Sequence, residues 1–406
     1  MAYELLEKIF HKYPDRYEEI YQSRISSEST YKLPIHINKF PAFLILTPEL
    51  FVLNNTIYQL SAKFSELLSK KILKATSNKM HSFDFSKNKF LENCLINELI
   101  QTNDIEGIKS TRKDILDAID ANLKNDKKVR FQGMVNKYQM IINDEKLDFM
   151  SCTKIRKLYD DIVLTELEKE DLPDGQIFRK STVVVSNGIK SVHDGLFPEM
   201  TIIEAMENAI QILNDGKLPM IVRIAIFHYL IGYIHPFYDG NGRLSRFISS
   251  YLLKEELNVF VALKLSYTIK KFKKEYYKAF DISNDFRNRG DLTYFIQTFL
   301  DFVFDACKTT LEDFFYSFDK IISYIEIIYN SNLNNFLKQI LIVFAQVYGA
   351  SNNEIYFDEL LELTQTNETT LREKLKLLMD DGFVERRKEG KRYVYSLIVN
   401  RLEQFR

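Results

Sequence analysis

The stretch His-Pro-Phe-Tyr-Asp-Gly-Asn-Gly-Arg-Leu-Ser-Arg, residues 235–246, is the most informative segment of the chain. It predicts a helix end, a glycine-containing turn and the start of a new helix. The glycines allow successive backbone N–H groups to point into one concavity, and the following helix adds the positive end of its dipole. The segment therefore predicts a site for an anionic ligand.

The side chains of this stretch add the groups that phosphate chemistry needs. His235 has an unperturbed pKa that suits a general base near neutral pH. Asp239 offers carboxylate oxygens to Mg²⁺, which usually bridges a carboxylate and substrate phosphates. Arg243 and Arg246 are three residues apart, so they share a helix face and can bind two different phosphate groups. Each feature alone is ordinary, but together they supply a base, a metal ligand and counter-charges beside one anion site.

This segment resembles the signature of the Fic family, His-Pro-Phe-x-acid-Gly-Asn-Gly-Arg-x-x-Arg, at every specified position. The resemblance implies transfer of AMP from ATP to a Ser, Thr or Tyr hydroxyl of a target protein, self-modification included, with release of pyrophosphate. By position it implies that His235 is the general base, Asp239 holds Mg²⁺ and Phe237 is a buried anchor. The implied nucleotide-binding residues are Gly240, Asn241, Gly242, Arg243, Leu244, Ser245 and Arg246, with Arg246 reaching the γ-phosphate.

A second pattern, within residues 177–193, predicts a β-hairpin. RKSTVVV and IKSV flank Asn187-Gly188, and Asn-Gly between β-branched runs favours a tight turn because both residues tolerate positive φ. The segment resembles the Fic flap, which implies that it pairs with an extended segment of the target. Tyr276 and Tyr277 resemble a position that lines the nucleotide in longer bacterial Fic proteins, although adjacent tyrosines on a helix are also ordinary core packing.

A third pattern lies upstream, in residues 87–107. Leucines four residues apart predict an amphipathic helix, and Gly107 fits its C-terminal cap. Thr102 and Glu106 share one helix face. Beside a Fic core this helix end resembles the family's inhibitory motif: Ser or Thr, three residues, Glu, then Gly or Asn. The resemblance implies that Glu106 pairs with Arg246 and excludes the γ-phosphate of ATP. In some relatives the same Glu positions a water that removes AMP, so the reverse reaction stays open.

The end of the chain predicts a separate module. Three helical segments precede two short strands around Glu389-Gly390, which is the pattern of a winged helix-turn-helix domain. Cations such as Arg372 and Arg387 suit DNA phosphates, but neighbouring acids nearly cancel them. DNA binding is therefore weakly supported, and a protein contact or a homodimer is supported at least as well. The predicted domains are an N-terminal helical region (1–88), a Fic helical bundle (89–328) with its inhibitory helix, flap and catalytic loop, and a winged-helix domain (329–406).

Composition agrees with a mainly α chain of more than one domain. The chain has 406 residues, 46% of them hydrophobic, with only 13 Gly and 8 Pro, and single cores stop growing near about 250–300 residues. A formal net charge of −1 creates no global field for nucleic acid or a membrane.

The three cysteines show no CxxC spacing, which argues against a disulfide framework or a zinc site. The absence of a signal-like start or of an uninterrupted apolar span predicts a cytoplasmic protein without a membrane anchor. Two alternative functions stay open: a nucleotide-sensing, DNA-binding transcription regulator, and a Fic enzyme that mainly removes AMP.

Overall fold

The computed structural model describes residues 3–77, 83–124, 129–186, 191–351, 353–389 and 392–404, and most of them are helical. They form two compact units. The first unit comprises Met1–Ala62 and Ile96–Lys308, and the second comprises Lys63–Leu95 and Thr309–Arg406. Among the residues described, no helix combines the length and the apolar character that crossing a lipid bilayer requires.

The first unit begins with two short helices, which are followed by a β-hairpin that the sequence patterns did not predict. After α1 (Leu6–Lys12) and α2 (Tyr17–Ile25), β1 (Thr30–Ile37) pairs antiparallel with β2 (Phe40–Ile45). Residues on β1 alternate between buried and exposed, as expected for a strand with one face on the core. Pro34, which cannot donate to a ladder, obscures this period in the sequence.

Helices α3 to α14 follow in chain order. Among them, α9 is buried and apolar on nearly every face. They are α3 (Pro48–Ser77), α4 (Phe83–Ile105), α5 (Arg112–Lys124), α6 (Gln132–Ile142), α7 (Cys152–Val163), α8 (Glu199–Asn214), α9 (Met220–Ile234), α10 (Asn241–Glu256), α11 (Val259–Ala262), α12 (Leu265–Lys271), α13 (Lys273–Asn284) and α14 (Thr293–Asn330). Short 3₁₀ turns lie at Pro14–Arg16, Leu164–Glu166, Lys169–Asp171 and Phe286–Asn288. The helical pattern predicted for 87–107 is confirmed by α4, and Gly107 has the positive φ of 75° expected of a C-cap.

The hairpin predicted within residues 177–193 is present but shorter than the sequence indicated. β3 (Val184–Ser186) pairs antiparallel with β4 (Ser191–Asp194). The Asn187-Gly188 turn that predicted the hairpin lies outside the described residues. The segment before β3, including Arg179, has no regular secondary structure and packs its backbone against the end of α9.

The second unit contains parts of α3, α4 and α14 and the C-terminal elements. These are α15 (Asn335–Ala350), β5 (Ile355–Tyr356), α16 (Phe357–Thr364), α17 (Glu368–Asp380), β6 (Val384–Glu389), β7 (Arg392–Leu397) and α18 (Val399–Glu403), with the strands in the order β5-β7-β6. The three helices and two strands that the sequence predicted occur in that order, but β5 and α18 were not predicted, and Gly390 lies outside the described residues. Arg372 and Arg387 each pair with a carboxylate, at 2.7 Å from Glu368 and 2.6 Å from Glu354.

Both predicted domain boundaries fall within helices. The boundary after residue 88 lies inside α4, and the boundary after residue 328 lies inside α14. Buried apolar side chains occur close to both positions, among them Phe90 and Ile325. The helices therefore continue through the points at which the sequence patterns indicated a change of domain.

Candidate active site

The loop between α9 and α10 turns on two residues with left-handed backbone conformation. His235 caps α9 with φ 52° and ψ 63°, and Gly240 precedes α10 with φ 77°. Glycine adopts this region freely, whereas a residue with a Cβ rarely does. The surrounding structure therefore holds His235 in an uncommon conformation at the end of a buried helix.

Side chains within the loop fix its shape. The Asn241 amide accepts a hydrogen bond from the Phe237 N–H at 3.0 Å and donates to the Phe237 carbonyl at 2.8 Å. The Phe237 ring is buried and stacks on Tyr159, with ring centroids 3.5 Å apart. The Tyr159 hydroxyl donates to the Asp239 carbonyl at 2.9 Å. The side chain of Asn241 is thus committed to the loop backbone.

The first N–H groups of α10 have no side-chain cap among the described residues. No side chain in the described part of the chain caps the helix at Gly240, so its first N–H groups keep their capacity to bind a negatively charged ligand. Leu244 is fully buried and anchors the turn in the core. The Ser245 hydroxyl donates to the Gly242 carbonyl at 3.0 Å, so this side chain is used within the helix.

Arg243 lies between two carboxylates. Its guanidinium is 3.2 Å from the Glu166 Oε2 atom and 3.2 Å from the Asp239 Oδ2 atom. Burial raises the pKa of Glu166, and the Arg243 charge opposes this shift only in part. The sequence reasoning missed Glu166, because 77 residues separate it from Arg243 and nothing local indicates the contact.

Asp239 fits the requirements of a magnesium ligand. About half of its side chain is exposed, 48%, next to the open N-terminus of α10. The described residues contain no group of three or more side chains that would hold a metal ion by themselves. A single carboxylate with substrate phosphates and water is nevertheless a common environment for Mg²⁺. The donor chemistry at Asp239 is therefore compatible with the predicted ion.

Arg246 contacts Thr102 and Glu106, the two upstream residues that the sequence analysis identified. Its Nη2 atom is 2.7 Å from the Glu106 Oε1 atom, and its Nε donates to the Thr102 hydroxyl at 2.7 Å. Burial lowers the pKa of Arg246, but the Glu106 carboxylate and the nearby Tyr276 and Tyr277 raise it, and the net shift is upward. A Cβ added at Gly242 would lie 2.1 Å from the Glu106 Oε1 atom, so the carboxylate covers the first turn of α10.

A further carboxylate on α4 was also missed by the sequence reasoning. Glu98 is fully buried and accepts hydrogen bonds from the Ser266 N–H at 2.9 Å and the Ser266 hydroxyl at 2.5 Å. Burial raises its pKa to about 7, against the effect of these hydrogen bonds and of Arg246. Glu98, Thr102 and Glu106 are spaced four residues apart, so one side of α4, continued by the turn that follows it, carries all three.

Tyr276 and Tyr277 occupy different environments near Arg246. Tyr276 is buried, and its hydroxyl is 2.9 Å from the His228 Nε2 atom. Burial lowers the pKa of His228 to about 3, so this ring is neutral. Tyr277 is partly buried, and burial together with the Glu106 charge raises its pKa to about 12. The Tyr276 hydroxyl is therefore engaged in the core, whereas Tyr277 lies closer to the surface.

Residues 149–253 match the family model described as Fic/DOC family, and the chain therefore carries a Fic/DOC family domain. "Protein adenylyltransferase fic-1" of Caenorhabditis elegans is 25% identical over 167 residues, which cover 39% of this chain and 30% of that protein. The match thus spans less than a third of that relative's length.

Solved structures show only a distant overall likeness. A Fic family protein from Desulfovibrio desulfuricans G20 has a TM-score of 0.49 at 17% identity, covering 90% of this chain and 98% of that chain. A Fic-1 fragment from C. elegans has a TM-score of 0.43 at 18% identity, covering 65% of this chain and 72% of that chain.

Proposed function

We propose that this chain is a protein adenylyltransferase, which moves AMP from ATP to a Ser, Thr or Tyr hydroxyl of a protein and releases pyrophosphate. One observation supports this function most strongly. His235 ends α9, and the same short loop leads into the uncapped N-terminus of α10, which carries the buried arginines Arg243 and Arg246. A base and an anion site therefore flank one loop, within a Fic/DOC family domain.

The proposed reaction is a single displacement at the α-phosphorus. His235 accepts the proton of the target hydroxyl, and the oxygen forms a bond to the α-phosphorus of ATP. The bond between that phosphorus and the bridging oxygen to the β-phosphate breaks, and the electron pair leaves with pyrophosphate. His235 then releases its proton to solvent. Such transfers depend mainly on positioning and on neutralising charge.

The anion-binding groups divide among the phosphates. The first N–H groups of α10 and the Arg243 guanidinium would orient the phosphates nearest the reacting centre, and Arg246 would bind the γ-phosphate. Asp239 would hold Mg²⁺, and the bound ion would neutralise part of the phosphate charge. Glu166 and Asp239 hold the Arg243 guanidinium in place from two sides, so the charge of Arg243 is oriented before ATP arrives.

The contact between Glu106 and Arg246 supports autoinhibition of this activity. A guanidinium that already binds a carboxylate at 2.7 Å cannot bind the γ-phosphate in the same way. The Glu106 charge also lies over Gly242, where it repels phosphates at the first turn of α10. We therefore expect low transfer by the wild-type chain and a productive ATP pose only after Glu106 has moved away.

Mass spectrometry after incubation with ATP and Mg²⁺ tests the proposed function. We expect the Glu106→Gly variant to add AMP to itself or to proteins of a cell lysate, and the Glu106→Gly, His235→Ala double variant to add none. The double variant is the control, because it retains the nucleotide-binding groups. A folded Glu106→Gly variant that binds ATP and adds AMP to nothing contradicts the proposal.

A further inference from the structure

Arg179 is a fully buried cation whose acceptors, in the described part of the chain, are all backbone carbonyl oxygens. Its Nε donates to the His235 carbonyl at 2.8 Å, and its Nη1 donates to the Ser181 carbonyl at 2.5 Å. Its Nη2 donates to the Leu196 carbonyl at 2.8 Å and to the Ile234 carbonyl at 3.5 Å. Burial lowers the pKa of Arg179. A buried charge is costly unless it is hydrogen-bonded, so this geometry indicates a specific role.

The four carbonyls belong to two different structures. Ser181 and Leu196 lie on either side of the β3–β4 hairpin, whereas Ile234 and His235 form the end of α9. The last carbonyls of a helix lack intrahelical partners and carry the negative end of its dipole, so a fixed cation is favourable there. Arg179 therefore joins the base of the hairpin to the end of α9.

The contact at His235 has a consequence for the histidine side chain. A left-handed conformation is unfavourable for a residue with a Cβ, and His235 adopts one with φ 52°. The Arg179 Nε–H holds the carbonyl of this residue, and so it also restrains the direction in which the Cα–Cβ bond leaves the backbone. The Gly195 position leaves room for the contact, because a Cβ there would lie 2.5 Å from the Arg179 Nη2 atom and 3.1 Å from the His235 Cβ atom.

We propose that Arg179 is a positioning residue, which fixes His235 and the base of the β3–β4 hairpin as one rigid unit for the transfer reaction. This inference rests on the function proposed above, in which His235 is the base, and on the resemblance of the hairpin to a flap that pairs with the target. Three guanidinium nitrogens bind carbonyls in different directions, and a lysine ammonium cannot reproduce that planar arrangement. The phosphate-binding groups of α10 are not among the partners of Arg179, so its loss slows transfer without weakening ATP binding.

The test uses the Glu106→Gly chain as parent and adds Arg179→Met, Arg179→Lys or Arg223→Met. Arg223 is the matched control, because its guanidinium also donates to backbone carbonyls, at 3.0 Å to Leu218 and 2.5 Å to Leu213, at the start of α9. Transfer is measured with ATP labelled at the α-phosphate and ATP affinity by calorimetry, below the melting temperature of every variant. Histidine-labelled samples give a second readout, the NMR signal of the His235 ring, assigned by its loss in His235→Ala.

We expect Arg179→Met to slow transfer roughly 100-fold, the scale of a misplaced reacting group, with an unchanged ATP dissociation constant and a displaced His235 signal. Arg179→Lys should fall between parent and Arg179→Met. Arg223→Met should lower the melting temperature and leave the transfer rate and the His235 NMR signal at the parental values. If Arg179→Met does not fold, Gly195→Ala serves as the second variant, because its Cβ displaces the Arg179 guanidinium. It should slow transfer and shift the His235 NMR signal, each by less than is expected for Arg179→Met.

Two results overturn the positioning role alone: parental transfer in Arg179→Met, or equal losses of transfer in Arg179→Met and Arg223→Met. A parent chain that transfers no AMP overturns the proposed function itself, and the positioning role with it. The parent's own activity therefore separates the two failures.

Discussion

Replacing Glu106 by glycine should release the contact that occupies Arg246. The Glu106 Oε1 atom is 2.7 Å from the Arg246 Nη2 atom, and 1% of the arginine side chain is exposed against 26% of the glutamate side chain. At an effective dielectric constant near 20, two charges at that distance attract by about 6 kcal/mol. The cost of removing both groups from water reduces the net value to about 2–3 kcal/mol.

This free energy opposes the binding of the γ-phosphate at Arg246. A difference of about 2–3 kcal/mol corresponds to a factor of about 30–150, so we expect the Glu106→Gly variant to transfer AMP about 30–150 times faster than the wild-type chain. Glu106→Gln removes the charge but keeps the bulk of the side chain, and its gain should be smaller. Glu106 follows the last helical residue of α4, so the glycine itself should cost the helix little.

Initial rates with ATP labelled at the α-phosphate measure the effect. The matched control is Asp104→Gly, because Asp104 lies on the same helix end but pairs with Lys270 instead of Arg246. This control should show no gain. The reasoning is refuted if Glu106→Gly is no faster than the wild-type chain, or if Asp104→Gly gains as much.

Two further predictions concern stability. Phe237→Ala removes a buried ring stacked on Tyr159, and we expect it to lower the free energy of unfolding, measured by denaturant titration, by about 3–5 kcal/mol. The control Phe286→Ala, at a residue that is 63% exposed, should change this free energy little. Equal losses in the two variants would contradict the anchor role of Phe237. Burial raises the pKa of Glu98 to about 7 in the folded chain, from its ordinary value of 4.5 in the unfolded chain. Since the folded state then binds more protons, the free energy of unfolding should fall by about 3 kcal/mol between these pH values and stay level above them. Subtracting the curve of Glu98→Gln isolates this fall, and a flat difference curve would contradict the buried, protonated Glu98.

The local part of the candidate site could be predicted because its determinants lie within a few residues of each other. The turn between α9 and α10 needs glycine at position 240, where φ is 77°, and the helix that follows places Arg243 and Arg246 on one face by its own geometry. The end of α4 is similarly local, with Gly107 as its cap.

Groups that reach the site only through tertiary packing could not be predicted. Glu166 meets Arg243 across 77 residues, and Glu98 meets Ser266 across 168 residues, so no local pattern marks either contact. Arg179 lies within the segment predicted as a hairpin, but its acceptors are backbone carbonyls, which cannot be recognised from residue identities. The predicted domain boundaries after residues 88 and 328 lie inside α4 and α14, because both helices continue through these positions.

The position of the transferred phosphate tests the central claim most directly. The Glu106→Gly variant is incubated in parallel with ATP labelled at the α-phosphate and with ATP labelled at the γ-phosphate, and protein-bound label and released pyrophosphate are measured. An adenylyltransferase attaches only the α-label and releases one pyrophosphate for each label attached, and adding His235→Ala abolishes both signals. Protein labelled from the γ-phosphate, or α-labelling that persists without His235, would contradict the account.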